Sequence, residues 1–137
     1  MYKNILVPMA LDHDLSPDTL EVARALLQDG GQIVALHVYD TPQGAANAYM
    51  DEATIAAAYK AAKARLHEKV SHLDGVTAKI TEGHSARTII DYADEHKVDC
   101  IVIGSHRPDL RDYFLGSTAS RVVRHAKCAV HVYRRDG

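Results

Sequence analysis

Apolar positions along this chain change period several times, and each change marks a new element. Residues 3–9, KNILVPM, form a short and nearly continuous apolar run, the pattern of a strand buried on both faces of a sheet. Ser16 and Pro17 then open a helix. Serine caps free amides, and proline suits the first helical position, where no N–H bond is lost. Leu20, Ala23 and Leu27 share one face of that helix, and Gly30-Gly31 is expected to end it. QIVALHVYD, residues 32–40, reads as the second strand.

The polar, small-residue stretch TPQGAANAYMDEA reads as a connection. A long helix follows, with Ile55, Tyr59, Ala62, Leu66, Val70 and Leu73 recurring at steps of three and four, and Asp74-Gly75 stopping it. Residues 76–83, VTAKITEG, alternate as a strand with one exposed side, which places them at a sheet edge. A third helix spans 85–97 with Ile89, Ile90 and Ala93 inward. A fourth strand covers 99–104, a fourth helix runs from about 117 to 125, and a fifth strand spans 128–134. Strands alternating with helices predict an α/β fold: a parallel sheet with helices on both faces. In such sheets ligands sit beyond the carboxyl ends of the strands, where the strand order reverses. The loops after strands one and four, residues 8–14 and 104–114, are therefore the first places to look.

At 137 residues the chain is expected to be one domain, 1–137, with a core that needs no disulfide or metal. A net charge of −2 argues against a general nucleic-acid surface. No run approaches the roughly 20 apolar residues of a membrane span, and the apolar part of the N-terminus is too short for a signal peptide. The expectation is a cytoplasmic protein without nucleic-acid or membrane partners. Cys100 and Cys128 each sit in an apolar run and read as buried free thiols.

The chemistry concentrates in GSHRPDLRDYFLGST, residues 104–118. It follows a strand, is framed by glycines, and carries His106, Arg107 and Arg111. Gly116-Ser117-Thr118 opens a helix whose first amides and dipole attract negative charge. Together these suit a polyphosphate. The stretch is neither the Walker pattern nor a GxGxxG fingerprint, and an ordinary strand-to-helix loop is the competing reading. Ser117 reads as an N-cap or a phosphate ligand, and Asp109 and Asp112 as solvated loop charges. His125 suits a helix carboxyl end. Tyr49, Tyr59 and Tyr92 read as packing residues. The nine histidines show no metal-ligand spacing, so any Mg²⁺ would be held mainly by phosphates.

ILVPM at the start, LHVYD in the second strand, and IVIGSHRPDLRDYFLGSTASRVVRHAKCAVHVYR at the end resemble the universal stress protein family, most closely its bacterial F- and G-type members. The resemblance implies a five-stranded parallel sheet of order 3-2-1-4-5, a Rossmann-like fold of the adenine-nucleotide α-hydrolase kind. It implies a homodimer and, in many members, ATP (or AMP or ADP) at the switch point. The family's phosphate motif is Gly-x-x-Gly, nine residues, then Gly-Ser/Thr. Gly104 matches its first glycine, and Gly116 and Ser117 its last pair. Arg107 stands where the second glycine is usual, and the intervening run is one residue shorter. By this resemblance Ser105 and His106 line the phosphates, with Thr118 and Ala119 on the next turn, while Pro8, Met9, Ala10 and Val38 lie near adenine and ribose.

One departure bears on affinity: Ala10 stands where the family usually has an aspartate, with Asp12 the nearest substitute. Losing one charge-assisted hydrogen bond costs about 1.5–3 kcal/mol, or about one to two decades of affinity. The last strand leaves an apolar edge for a second copy to cover, through Ala129, Val130, His131, Val132 and Tyr133. The expected function is an ATP-binding, nucleotide-dependent stress-response or signalling module, with Mg²⁺ carried on the phosphates and a protein partner the sequence does not identify. Two alternatives stand beside it. One is a dimeric interaction module without nucleotide, with Ala10 as its marker. The other is a slow ATPase or autophosphorylating protein, for which the sequence names no catalytic residue.

Overall fold

The structure, a computed structural model, describes residues 1–11, 17–40, 51–104 and 116–134. The elements in chain order are β1 (Tyr2–Pro8), α1 (Pro17–Leu26), β2 (Leu27–Tyr39), α2 (Glu52–Val70), β3 (Val76–Glu82), α3 (Ser85–Glu95), β4 (Cys100–Gly104), α4 (Ser117–His125) and β5 (Ala129–Tyr133). The strands form one sheet of order β3-β2-β1-β4-β5, and every neighbouring pair is parallel. The chain runs outward from β1 to β3, then returns to β4 on the other side of β1. The order thus reverses between β1 and β4, as expected for a doubly wound sheet.

Alternation along the central strands divides the core between two faces. Ile5, Val7, Cys100 and Val102 pack with Leu20 and Ala23 of α1, and Ala35 and Ala78 pack with Leu66 and Val70 of α2. Leu6, Leu36, Ile101 and Ile103 turn the other way, toward Ala86, Ile89 and Ala93 of α3 and Ala119 and Val122 of α4. Both faces of β1 and β4 are covered, which is why their sequences read as unbroken apolar runs. β3 lies at one edge and β5 at the other.

Three local features differ from the periodicity. First, α1 stops at Leu26 and β2 begins at once. Leu27 pairs with Tyr2 and Gln32 with Asn4, so two steps along β1 (2 to 4) face five along β2 (27 to 32). Gly30, at φ 80°, makes this bulge. A Cβ on Gly31 would lie 2.8 Å from the Lys3 carbonyl oxygen and 2.6 Å from Leu27 Cδ1. The glycine pair therefore shapes a strand rather than ending a helix.

Second, α2 starts before the apolar repeat at Ile55, because Asp51 caps it by accepting from the Thr54 amide at 2.7 Å. It ends at Val70, leaving Leu73 to pack beyond the helix. Third, α3 ends at Glu95, with Lys97 left-handed at φ 55°.

The amino end of the sheet is tied by Asp99. Its carboxylate accepts from the Lys3 and Asn4 amides, both at 2.9 Å. Its own amide donates to the Asn4 carbonyl at 3.1 Å.

Candidate functional site

The carboxyl edge of the sheet gathers the described candidate residues. At the end of β1, Pro8 pairs with Leu36. The Met9 amide donates to the Leu36 carbonyl at 2.9 Å, and His37 Nδ1 lies 3.0 Å from the Met9 carbonyl. With Nδ1 protonated, the imidazole donates and straps the start of the β1–α1 connection to β2. Ala10 is exposed. Val38 pairs with Thr81 and packs its side chain on the α3/α4 face. At the end of β4, Gly104 pairs with Tyr133, and a Cβ built on it would meet nothing within 4 Å. Ser105, His106 and Arg107 lie outside the described residues, as do Asp12, Tyr49, Asp109, Arg111 and Asp112.

The N-cap of α4 is Gly116, at φ −58° and ψ 157°, with no side-chain cap hydrogen bond. This corrects the reading of Ser117 as a cap: it is the first helical residue. The first intrahelical bond runs from the Ser120 amide to the Gly116 carbonyl at 2.9 Å. The amides of Ser117, Thr118 and Ala119 precede it and have no acceptor among the described residues. Ala119 itself is 3% exposed and packed in the core, so its side chain serves packing and does not face a ligand. Neither Gly104 nor Gly116 has a left-handed φ. Each contributes the absence of a side chain rather than unusual backbone freedom.

Beside this helix end lies a cleft of about 490 Å³ between α3 and α4. Ser117, Thr118, Arg121 and His125 line it from α4, and Ser85, Ala86, Arg87 and Ile90 from α3. His84 and Asp40 complete the wall. His84 is the N-cap of α3 and makes no side-chain cap bond either. The sequence reading placed His125 at a helix end, which it occupies, but did not see that it also borders a cavity. It missed the α3 wall and Asp40 altogether. The signal was available, since Asp40 follows β2 and Ser85 follows β3, and a parallel sheet brings both to the carboxyl edge.

Other chemistries find less support. Among the described residues no three His, Cys, Asp or Glu side chains gather as a metal site. Both cysteines are free; Cys100 is buried, but Cys128 is only half-buried, contrary to expectation. Burial, reinforced by Cys128 and Asp99, pushes the Cys100 thiol up to about 11. Burial also raises the Cys128 thiol. Neither is primed as a thiolate nucleophile. Tyr59 meets Tyr39 edge-on at 5.5 Å, and Tyr92 stacks on His96 at 3.9 Å, so both act in packing.

A doubly wound parallel sheet, with the start of α4 over its reversal point and a cleft alongside, is an α/β domain of Rossmann-like type. The universal stress protein family model matches residues 1–134, and the chain belongs to that family. It is 33% identical over 144 residues to universal stress protein G of Escherichia coli O157:H7, covering 98% of this chain and 100% of that one. Among solved structures it resembles universal stress protein UspA from Lactobacillus plantarum, at 30% identity and TM-score 0.66, covering 97% and 98% of the two chains. A family protein from Arabidopsis thaliana, solved with AMP bound, shares the fold at 17% identity and TM-score 0.60, over 98% of this chain and 93% of that one.

Proposed function

We propose that this universal stress protein binds an adenine nucleotide, ATP in the first instance, at the carboxyl edge of its sheet and works as a nucleotide-dependent signalling module. The observation that carries the reading is the start of α4, which has no side-chain cap among the described residues. Three amides precede the first helical hydrogen bond, and the cap residue has no side chain to occupy them. Phosphoryl oxygens are the natural acceptors for such a set. The open space beside Gly104 and the strapped Pro8–Met9 segment supply room and a fixed wall on either side of the reversal point. The AMP held by the Arabidopsis relative favours the same ligand class. Asp40, the one carboxylate among the described residues lining the cleft, suits a Mg²⁺ carried on the phosphates, since that ion keeps waters and needs only one or two carboxylates.

The molecule acts as a homodimer in this reading. β5 is an edge strand of the described sheet whose sequence, Ala129 to Tyr133, is largely apolar, and a second copy would extend the sheet across that edge. Light scattering checks it: a monomer at micromolar concentration refutes the pairing. Calorimetry with ATP and AMP tests the ligand. Absence of heat for either at millimolar concentration would overturn the nucleotide reading and favour an interaction module. Ala10→Asp is then the informative variant. A gain of affinity would locate the defect at the position where the family usually carries an acid.

A further inference from the structure

The cleft between α3 and α4 carries positive charge that the helix amides do not account for. Arg87 stands in the first turn of α3 and Arg121 in the second turn of α4, and both line the same cavity as Ser117 and Thr118. Arg87 reaches Asp91 only at 3.9 Å, with both side chains largely exposed, so that contact restrains it weakly. Among the described residues Arg121 has no ion pair. Among the described lining residues Asp40 is the one acid, so two guanidiniums against one carboxylate leave +1 (2 − 1) there. The volume, about 490 Å³, falls in the ~300–1,000 Å³ range of small-ligand pockets. Ala86 and Ile90 supply apolar floor.

Guanidinium is the side chain best matched to phosphate oxygens, because its planar fork donates two parallel bonds. In the nucleotide reading the α4 amides take one phosphoryl group. A longer chain has to continue, and the neighbouring cationic cavity is where its charge is met. Resting on the nucleotide reading above, we propose that the α3–α4 cleft receives the outer phosphates of a polyphosphate nucleotide, with Arg87 and Arg121 making the site select ATP over AMP.

The test compares both ligands by calorimetry in the wild type, Arg87→Gln, Arg121→Gln and the double variant. Each single change is expected to weaken ATP about fivefold, the upper end for an exposed ion pair. AMP should stay within about twofold of its wild-type affinity. The double variant should bring the two ligands close together, and Arg121→Lys should retain most of the ATP preference. Circular dichroism and the melting midpoint confirm that each variant is folded. If the wild type binds both nucleotides and the arginine variants weaken them equally, or weaken neither, the selectivity inference is refuted while the nucleotide reading stands. If the wild type binds neither, both fall together.

Discussion

Replacing Gly116 with aspartate should move stability and ligand affinity in opposite directions. Gly116 already has the extended backbone of an N-cap residue, with φ −58° and ψ 157°, a conformation open to any L-residue. An aspartate there accepts from the Thr118 or Ala119 amide, and its charge lies at the positive end of α4. The cap contributes a few tenths of a kcal/mol over glycine. The dipole adds about 0.3–1 kcal/mol. The sum is about 0.5–1 kcal/mol, or a rise in melting temperature of about 2–5 °C for a domain of this size.

The same carboxylate occupies amides proposed for phosphate. Losing one charge-assisted amide–phosphate bond at about 1.5–3 kcal/mol weakens ATP about 10- to 100-fold, and repulsion between carboxylate and phosphate weakens it further. Thermal melts by circular dichroism and ATP titration on the same preparation read both effects. Gly116→Ala is the control. It lacks an acceptor, so it should lower stability slightly and leave ATP within about threefold of wild type. Wild-type ATP affinity in a Gly116→Asp protein that has gained stability would show that the α4 amides do not hold the phosphates.

Three further outcomes test the scaffold. Asp99→Ala removes the acceptor shared by the Lys3 and Asn4 amides. Because the Lys3 site is exposed and rehydrates, the loss should be about 2 kcal/mol in urea unfolding; less than about 0.5 kcal/mol would mean the clasp is not stabilising. Gly83 has φ +145°, and a Cβ there would meet Thr88 Oγ1, so Gly83→Ala should destabilise the entry to α3 by about 1–3 kcal/mol, while unchanged stability would refute the strain. Cys100 titrates at about 11 in the folded chain against an ordinary 9.0. Its folded pKa is raised, so the stability tied to its neutral form is complete below pH 9 and lost as pH climbs to about 11. The loss should be on the order of 2 kcal/mol, and Cys100→Ala should flatten that alkaline limb of the unfolding profile. A limb that persists unchanged would assign it to other groups.

The amino-acid pattern encodes the α/β alternation, because β1 and β4 are covered on both faces and must be apolar throughout, while helices covered on one face must repeat at three and four. It also placed β3 at an edge through its exposed alternate positions. The family motifs carried the strand order and located Gly104, Gly116 and Ser117 at the start of the last crossover. The remainder depends on packing between distant segments. Gly30-Gly31 looks like a helix stop in sequence, but the register against β1 turns it into a bulge, since only packing against Lys3 and Leu27 excludes a side chain at Gly31. Ser117 resembles a cap, and only backbone geometry shows Gly116 in that place, with no side-chain cap hydrogen bond. The α3–α4 cleft draws on residues from 40 to 125. No local pattern encodes it, because a parallel sheet brings distant chain segments to one edge without imposing any periodicity on them.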